Sequence, residues 1–319
     1  IKPIIIVSGE PYSVFLEIFF KTIKKNIFKK PIILIVSKEL FIKQMKKLNF
    51  DFEINLINSK NINFKSLSKK KVNLINVNFK FKKPFDKISK KSNVYIEECF
   101  SIALDLLKKN ICAGFINGPI SKRHFLKKKF LGITEYLAMK TNKRNKVAML
   151  IYNKNLSVSP ITTHLPLKDV HKNISKKKII NHVKLIKKFY KSRLNKDPNI
   201  SITGLNPHCE SNYNSSEEDK IIKPTIKSLN KNKAKIKGPL AADTVFLKSK
   251  LDKIDVIIGM YHDQVLTPMK AIFGFDAINI TLGLPFIRIS PDHGPNVDML
   301  GKNLSNPESL VQAIKFLDK

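Results

Sequence analysis

Three histidines in the second half of the chain each follow a short apolar run by a few residues. They are His164 in Thr162-Thr163-His164-Leu165-Pro166, His208 in Gly204-Leu205-Asn206-Pro207-His208, and His262 in Met260-Tyr261-His262-Asp263-Gln264. A fourth polar cluster, Asn117-Gly118-Pro119-Ile120-Ser121-Lys122, follows an earlier apolar run in the same way. Three neutral imidazoles are a sufficient protein set for a catalytic zinc, with coordination positions left open for substrate. The separations between them are far too long for a local metal motif, so spacing alone leaves three ordinary structural histidines as the alternative. His124, His171 and His182 stand in lysine-rich, helical-looking surroundings and are expected at the surface. Cys209, next to His208, reads as a small buried thiol.

The segments that must position these groups alternate between two periodicities. Apolar runs at 4–7, 31–36, 111–116, 147–151, 157–162, 200–204 and 255–260 have the length and β-branched content of buried strands. Apolar residues recur at helical spacing over 93–109, 175–194, 215–230 and 305–317. Ser92 and Ser215 are candidate N-caps, and Pro224 is expected to delay or kink the third of these helices. Such alternation implies an α/β chain with a largely parallel sheet, in which functional groups gather where strands end. Residues 51–92 are Asn- and Lys-rich and carry no chemical motif. With neither an internal repeat nor a flexible linker, residues 1–319 read as one catalytic unit, expected to form two subdomains around a cleft that the chain crosses more than once.

The net charge is +34, and 43% of residues are hydrophobic, a globular rather than a disordered composition. Residues 1–198 carry 44 of the 59 basic and 12 of the 25 acidic residues, a net of +32; the remainder carries +2. The excess is nearly all lysine, in runs such as 69–71, 127–129 and 176–178, in a chain equally heavy in Ile, Asn and Phe. Those four residue types share AT-rich codons, and arginine, the better base reader, is nearly absent. Solvated lysine faces are therefore expected, with only nonspecific, salt-sensitive binding to nucleic acid. No apolar run reaches the roughly 18 residues that span a bilayer. The chain begins at Ile1, so an initiator Met is expected before it, and the opening apolar segment reads as a first strand, not a signal-peptide core. Three cysteines without CxxC spacing (Cys99, Cys112, Cys209) point to a reducing, cytoplasmic setting.

Several longer strings occur in a fixed order: Ile-Thr-Thr-His-Leu-Pro-Leu at 161–167, Gly-Leu-Asn-Pro-His at 204–208, Gly-Pro-Leu-Ala-Ala-Asp-Thr-Val-Phe at 238–246, Met-Tyr-His-Asp-Gln at 260–264, and Asn-Ile-Thr-Leu-Gly-Leu-Pro-Phe-Ile-Arg at 279–288 before Asp292-His293-Gly294. Gly9-Glu10-Pro11, Gly118-Pro119 with Lys122, and Gly132 with Thr134-Glu135 extend the series towards the N-terminus. In these blocks the chain resembles the 4-hydroxythreonine-4-phosphate dehydrogenase (PdxA) family of vitamin B6 biosynthesis, densely over 111–300 and thinly over 12–110. The resemblance implies a two-domain fold of the isocitrate/isopropylmalate-dehydrogenase type with a central cleft, and a homodimer whose metal site is shared between subunits. It implies that His164, His208 and His262 bind a divalent metal, zinc first and Mg, Mn or Co next. It further implies that Thr134, Lys270, Asn279 and Arg288 hold a small phosphorylated amino-acid substrate, with Asp243 and Asp263 ordering the site. NAD or NADP is expected along Gly283, Leu284 and Pro285 and along Asp292 and His293. The implied reaction is oxidation at C3 followed by decarboxylation of the β-keto acid.

The chain departs from the family at three places. Ile133 stands where a substrate-contacting histidine normally precedes Thr-Glu, and the loss of one hydrogen bond to a charged group costs about 1.5–3 kcal/mol. The glycine-rich turn after Gly-Glu-Pro is replaced by Tyr12-Ser13-Val14-Phe15-Leu16, whose bulk is expected to block close backbone approach. Pro295-Asn296 replaces smaller residues after Gly294. These changes keep open a dehydrogenase of another phosphorylated four-carbon acid, or an inactive basic relative that binds nucleic acid.

Overall fold

The computed structural model describes residues 1–319 apart from 122, 127–129, 131, 145, 211–215, 233, 275, 292–293 and the side chain of 248. The chain divides into two compact units, Ile1–Tyr136 with Pro285–Lys319, and Leu137–Leu284.

The first unit holds β1 (Ile4–Val7), α1 (Phe15–Lys25), β2 (Ile32–Val36), α2 (Lys38–Lys47), β3 (Ile54–Leu56), β4 (Val72–Asn76), α3 (Asn93–Lys108), β5 (Gly114–Asn117), the first turn of α4 (Ile133–Lys140), and, after the second unit, β12 (Arg288–Ser290) and α10 (Glu308–Leu317). Its strands run in the order β3-β4-β2-β1-β5-β12, and each adjacent pair is parallel. Continuous apolar runs are what such strands need, because helices cover both faces; Ile4, Ile5, Ile6 and Val7 are all fully buried. Phe19 and Phe20 of α1 meet Phe41 of α2 edge to face, the closest pair with centroids 5.0 Å apart. The segment 51–92, without a chemical motif, supplies β3 and β4 at one edge of this sheet.

The second unit continues α4 and adds β6 (Ala148–Tyr152), β7 (Ser157–Pro160), α5 (Leu167–Val170), α6 (Lys176–Leu194), β8 (Ile200–Thr203), α7 (Lys223–Lys231), β9 (Ile236–Leu240), α8 (Ala242–Lys248), β10 (Val256–Gly259), α9 (His262–Phe273) and β11 (Ile278–Leu282). Its order is β11-β6-β7-β10-β8-β9; β6 is antiparallel to both neighbours and the other pairs are parallel. Met149, Val158, Ile257, Val265 and Met269 lie at the centre of its core. The α/β class with largely parallel strands is as the alternation implied.

Two local expectations, for Ser92 and His182, are corrected, and the delayed helix start expected at Pro224 is met. Ser92 precedes α3, but its hydroxyl donates to the Ser89 carbonyl instead of capping the helix. Pro224 comes second in α7, and the preceding residues Glu218–Ile222 form a π-helical turn. His182 is buried at 6% exposure on the inner face of α6, its Nδ1 3.1 Å from Ser159 Oγ, whereas His171 is exposed and His124 half-buried. A lysine-rich helix still has one face turned to the core, and His182 falls on it with Ile179, Val183 and Ile186. The cap expected at Ser215 lies outside the described residues.

Candidate active site

In the second unit, β7, β10 and β8 are successive neighbours in the sheet, and the three histidine-bearing loops leave their carboxyl ends. Two side chains stitch these loops together. The Thr162 hydroxyl donates to the Met260 carbonyl at 2.8 Å, which joins the loop of His164 to that of His262. Gln264 joins the loop of His262 to that of His208: its Oε1 accepts from Met260 N at 2.7 Å and from the Thr203 hydroxyl at 2.9 Å, while its Nε2 donates to the Gly204 carbonyl at 2.8 Å. Gly259 is required at the end of β10, because a Cβ there would lie 2.4 Å from Val265 Cγ1.

The rings of His164 and His262 lie 5.8 Å apart between centroids, with their planes inclined by 39°. His262 opens α9, and its Nδ1 is 2.6 Å from Oδ1 of Asp263. A carboxylate only accepts, so Nδ1 carries a proton, and in the neutral ring Nε2 is the nitrogen with the lone pair. Asp263 is 78% exposed, so the contact sets a tautomer more than it stabilises the fold. His208 is exposed and left-handed (φ 55°), as is Cys209 after it (φ 61°). Cys209 itself is buried, and burial, its largest influence, pushes the thiol pKa up.

The turn before His208 is held from below by Glu218, which is fully buried. Its Oε1 accepts from Leu205 N at 2.7 Å and Asn206 N at 2.8 Å, and its Oε2 accepts from Asn206 Nδ2 at 2.7 Å. Burial alone raises this carboxyl's pKa, but the amide donors outweigh it and the net shift is downward. Neither Glu218 nor Gln264 was singled out by sequence reasoning. Glu218 reads as one of three acids opening a helix, and its partners lie twelve and thirteen residues upstream in a loop, beyond any local pattern.

Asp243 is exposed in the first turn of α8, and Lys270 is exposed near the end of α9. Asn279 lies within β11, and its Oδ1 is buried without a hydrogen-bond partner among the described residues. Gly283 follows β11 with φ +90°, where a Cβ would sit 2.2 Å from the Lys146 carbonyl, so the turn itself demands glycine. Leu284 is half-buried and Pro285 exposed in the loop that follows. Asp292, His293 and Lys122 lie outside the described residues.

In the first unit, Arg288 is fully buried at the start of β12. Its Nε donates to Asn117 Oδ1 at 2.7 Å and an Nη to Thr134 Oγ1 at 3.3 Å. Burial pushes its pKa down and Glu135 opposes that shift; a guanidinium starts so high that it stays charged at neutral pH. Ile133 opens α4 beside Thr134, half-buried and without a polar group. Tyr12, Val14, Phe15 and Leu16 are buried, and Phe15 packs against Gly118, where a Cβ would lie 2.8 Å from its ring. Glu10 is 1% exposed, and neither carboxyl oxygen has a partner at hydrogen-bonding geometry. Burial raises its pKa to about 7, with Ser92 and the Tyr12 backbone amide nearby acting weakly in the other direction.

The donor set suits a divalent ion in its chemistry. An ion about 2 Å from one nitrogen of each of two imidazoles sets their ring centres roughly 5–6 Å apart, and His164 and His262 meet that spacing. Among the described residues, however, no three His, Cys, Asp or Glu side chains of this chain converge into a closed metal site. Also among the described residues, no helix is long and apolar enough to cross a membrane.

Comparison with known proteins gives this arrangement its context. Residues 28–317 match the family model described as pyridoxal phosphate biosynthetic protein PdxA. A 4-hydroxythreonine-4-phosphate dehydrogenase of Sulfurihydrogenibium sp. is 41% identical over 249 residues, 77% of this chain and 75% of that protein. One from Bradyrhizobium diazoefficiens is 37% identical over 211 residues, 64% of this chain and 61% of that protein. The crystal structure of 4-hydroxythreonine-4-phosphate dehydrogenase from Klebsiella pneumoniae superposes with a TM-score of 0.85 at 25% identity, over 99% of this chain and 97% of that one. Fold and matches together define an α/β enzyme of the dehydrogenase type. The chain belongs to the PdxA family.

Proposed function

We propose that the chain is a 4-hydroxythreonine-4-phosphate dehydrogenase of vitamin B6 biosynthesis. It oxidises 4-phosphohydroxy-L-threonine at C3 with NAD or NADP. The 2-amino-3-oxo-4-phosphooxybutanoate so formed loses carbon dioxide to give 3-amino-2-oxopropyl phosphate. Support comes above all from three histidines at the ends of three adjacent parallel strands, in a chain matched by the family model over 28–317.

His164, His208 and His262 would hold the divalent ion, zinc first, and Mg, Mn or Co are the alternatives. When bound, the ion supplies a Lewis acid for the hydroxyl under oxidation, and the nicotinamide supplies the two-electron acceptor. The rest falls to the chain's own groups. Asp263 fixes the tautomer of His262 so that Nε2 is the nitrogen left to act as a donor atom. Lys270 and Arg288 offer cations to the substrate's phosphate and carboxylate, the charge-assisted contacts that bind such groups strongly. Thr134 is oriented by Arg288, and the buried Oδ1 of Asn279 is an acceptor awaiting a donor. Asp243 is the remaining ordering group. The cofactor is assigned to Gly283, Leu284 and Pro285 and to Asp292 and His293. A homodimer sharing its metal site between subunits belongs to the same proposal. So does a reducing, cytoplasmic setting, which accords with three free cysteines.

Ile133 favours one second reading, a dehydrogenase of a different phosphorylated four-carbon hydroxy acid. The apolar side chain beside Thr134 offers a substrate no hydrogen bond.

The test is NADH formation from 4-phosphohydroxythreonine and NAD by the full chain with zinc, after chelation, and in His208→Ala. Turnover that vanishes on chelation and in the variant is expected. A folded protein that turns over phosphothreonate or phosphoerythronate but not this substrate would establish the second reading, and one inert towards all of them with every divalent metal would overturn both.

A further inference from the structure

We propose that Glu218 is the positioning residue for His208, acting on the imidazole only through the turn that carries it. The inference rests on the role given to His208 above. Glu218 lies in the π-helical turn ahead of α7 and is fully buried. A buried carboxylate is costly unless its lone pairs are met. All three short contacts that meet them here come from residues 205 and 206. These three donors belong to the turn and not to the helix that carries the carboxylate. Asn206 Nδ2 is held a second time by Glu217 Oε2 at 3.1 Å, so adjacent acids grip one amide.

The turn needs such a grip. His208 and Cys209 are consecutive non-glycine residues in the left-handed region, which L side chains disfavour. Residues of this kind persist only where the surroundings over-determine them. The surroundings here are closely set: a Cβ on Gly204 would lie 2.8 Å from Cys209 Sγ and 2.9 Å from Glu218 Oε1. Gln264 holds the Gly204 carbonyl from the side of β10. Glu218 therefore fixes where the strained pair begins, and so the bearing from which His208 leaves the sheet edge. Without it the turn relaxes while helix and strand remain.

The experiment is calorimetric titration of the full-length protein with zinc, paired with the visible d–d band of the cobalt(II) form, for wild type, Glu218→Gln, Asn206→Ala and His208→Ala. Glu218→Gln keeps the shape but loses the charge and one acceptor. It is expected to fold, to weaken metal binding by about 10- to 100-fold, as losses of ligand-orienting partners do, and to change the cobalt band. Asn206→Ala removes only the side-chain link and is expected to weaken binding by roughly tenfold, one charge-assisted hydrogen bond; it decides alone if Glu218→Gln does not fold. Wild-type affinity and spectrum in the folded variants, with loss confined to thermal stability, would overturn the positioning role. If His208→Ala itself binds metal as wild type does, the assignment of His208 as a ligand fails first, and the inference goes with it.

Discussion

Two buried titratable side chains give this protein opposing responses to pH. His182 is held neutral, mainly by burial and further by the Lys178 cation, so its pKa falls from 6.5 to about 4. Between those values the unfolded chain binds the extra proton, so stability is present above pH 6.5 and lost as pH falls towards 4. The expected loss is about 3 kcal/mol, and urea unfolding of His182→Gln should lack it while wild type shows it. Glu10 does the reverse. Its pKa is raised from 4.5 to about 7, so its contribution is complete below 4.5 and lost as pH rises through 7. Glu10→Gln should match wild type in strongly acid solution and be more stable by about 2–3 kcal/mol at pH 8; equal stability at both pH values would refute the burial account. Neither residue was legible as special in the sequence. His182 sits among lysines, and Glu10 lies in a family motif that says nothing about the protein packed around it.

At the scale of elements, the polar cross-links at the ends of β7, β10 and β8 matter more than the apolar strands behind them. Gln264 makes three hydrogen bonds spanning two loops. Gln264→Leu preserves volume but strands the Met260 amide and the Gly204 carbonyl. A loss of about 2–3 kcal/mol in urea unfolding is expected, and a loss below about 0.5 kcal/mol would mean that the loops are held by packing alone. The seven strands that bracket the histidine loops and the first sheet were legible because buried parallel strands must be continuous apolar runs. β3, β4, β9, β11 and β12 were not. β3 is a short edge strand, and the apolar run of β4 is broken by Asn73, whose amide bonds the Ile32 and Ser68 carbonyls inside the fold. α1 was hidden for another reason: Tyr12 to Leu16 read as an obstructed turn, whereas the structure uses their bulk as core. Which strand ends carry the histidines was legible from order alone; how their loops are tied was not, since each tie joins residues far apart in the chain.

Across the whole molecule the dominant quantity is the charge of +34. Described ion pairs such as Lys71–Glu53 and Lys108–Asp105 are solvent-exposed and contribute little, so most of the excess is left to water and counterions. Random duplex DNA should bind with a Kd on the order of 10⁻⁴ to 10⁻⁶ M, indifferent to sequence and falling steeply with salt. Affinity that resists salt or prefers one sequence in a gel-shift assay would instead reveal a selected surface. The division of the chain has a consequence of another kind, for synthesis. Residues 137–284 are contiguous, so the second unit has all its strands once residue 284 has emerged from the ribosome. The first unit begins earlier but finishes last, because β12 must still pair with β5 and α10 must still cover it. During that interval the edge of β5 that β12 will occupy is an open template in a strongly cationic nascent chain, and the protein is most exposed to aggregation and to chaperones before residues 285–319 arrive.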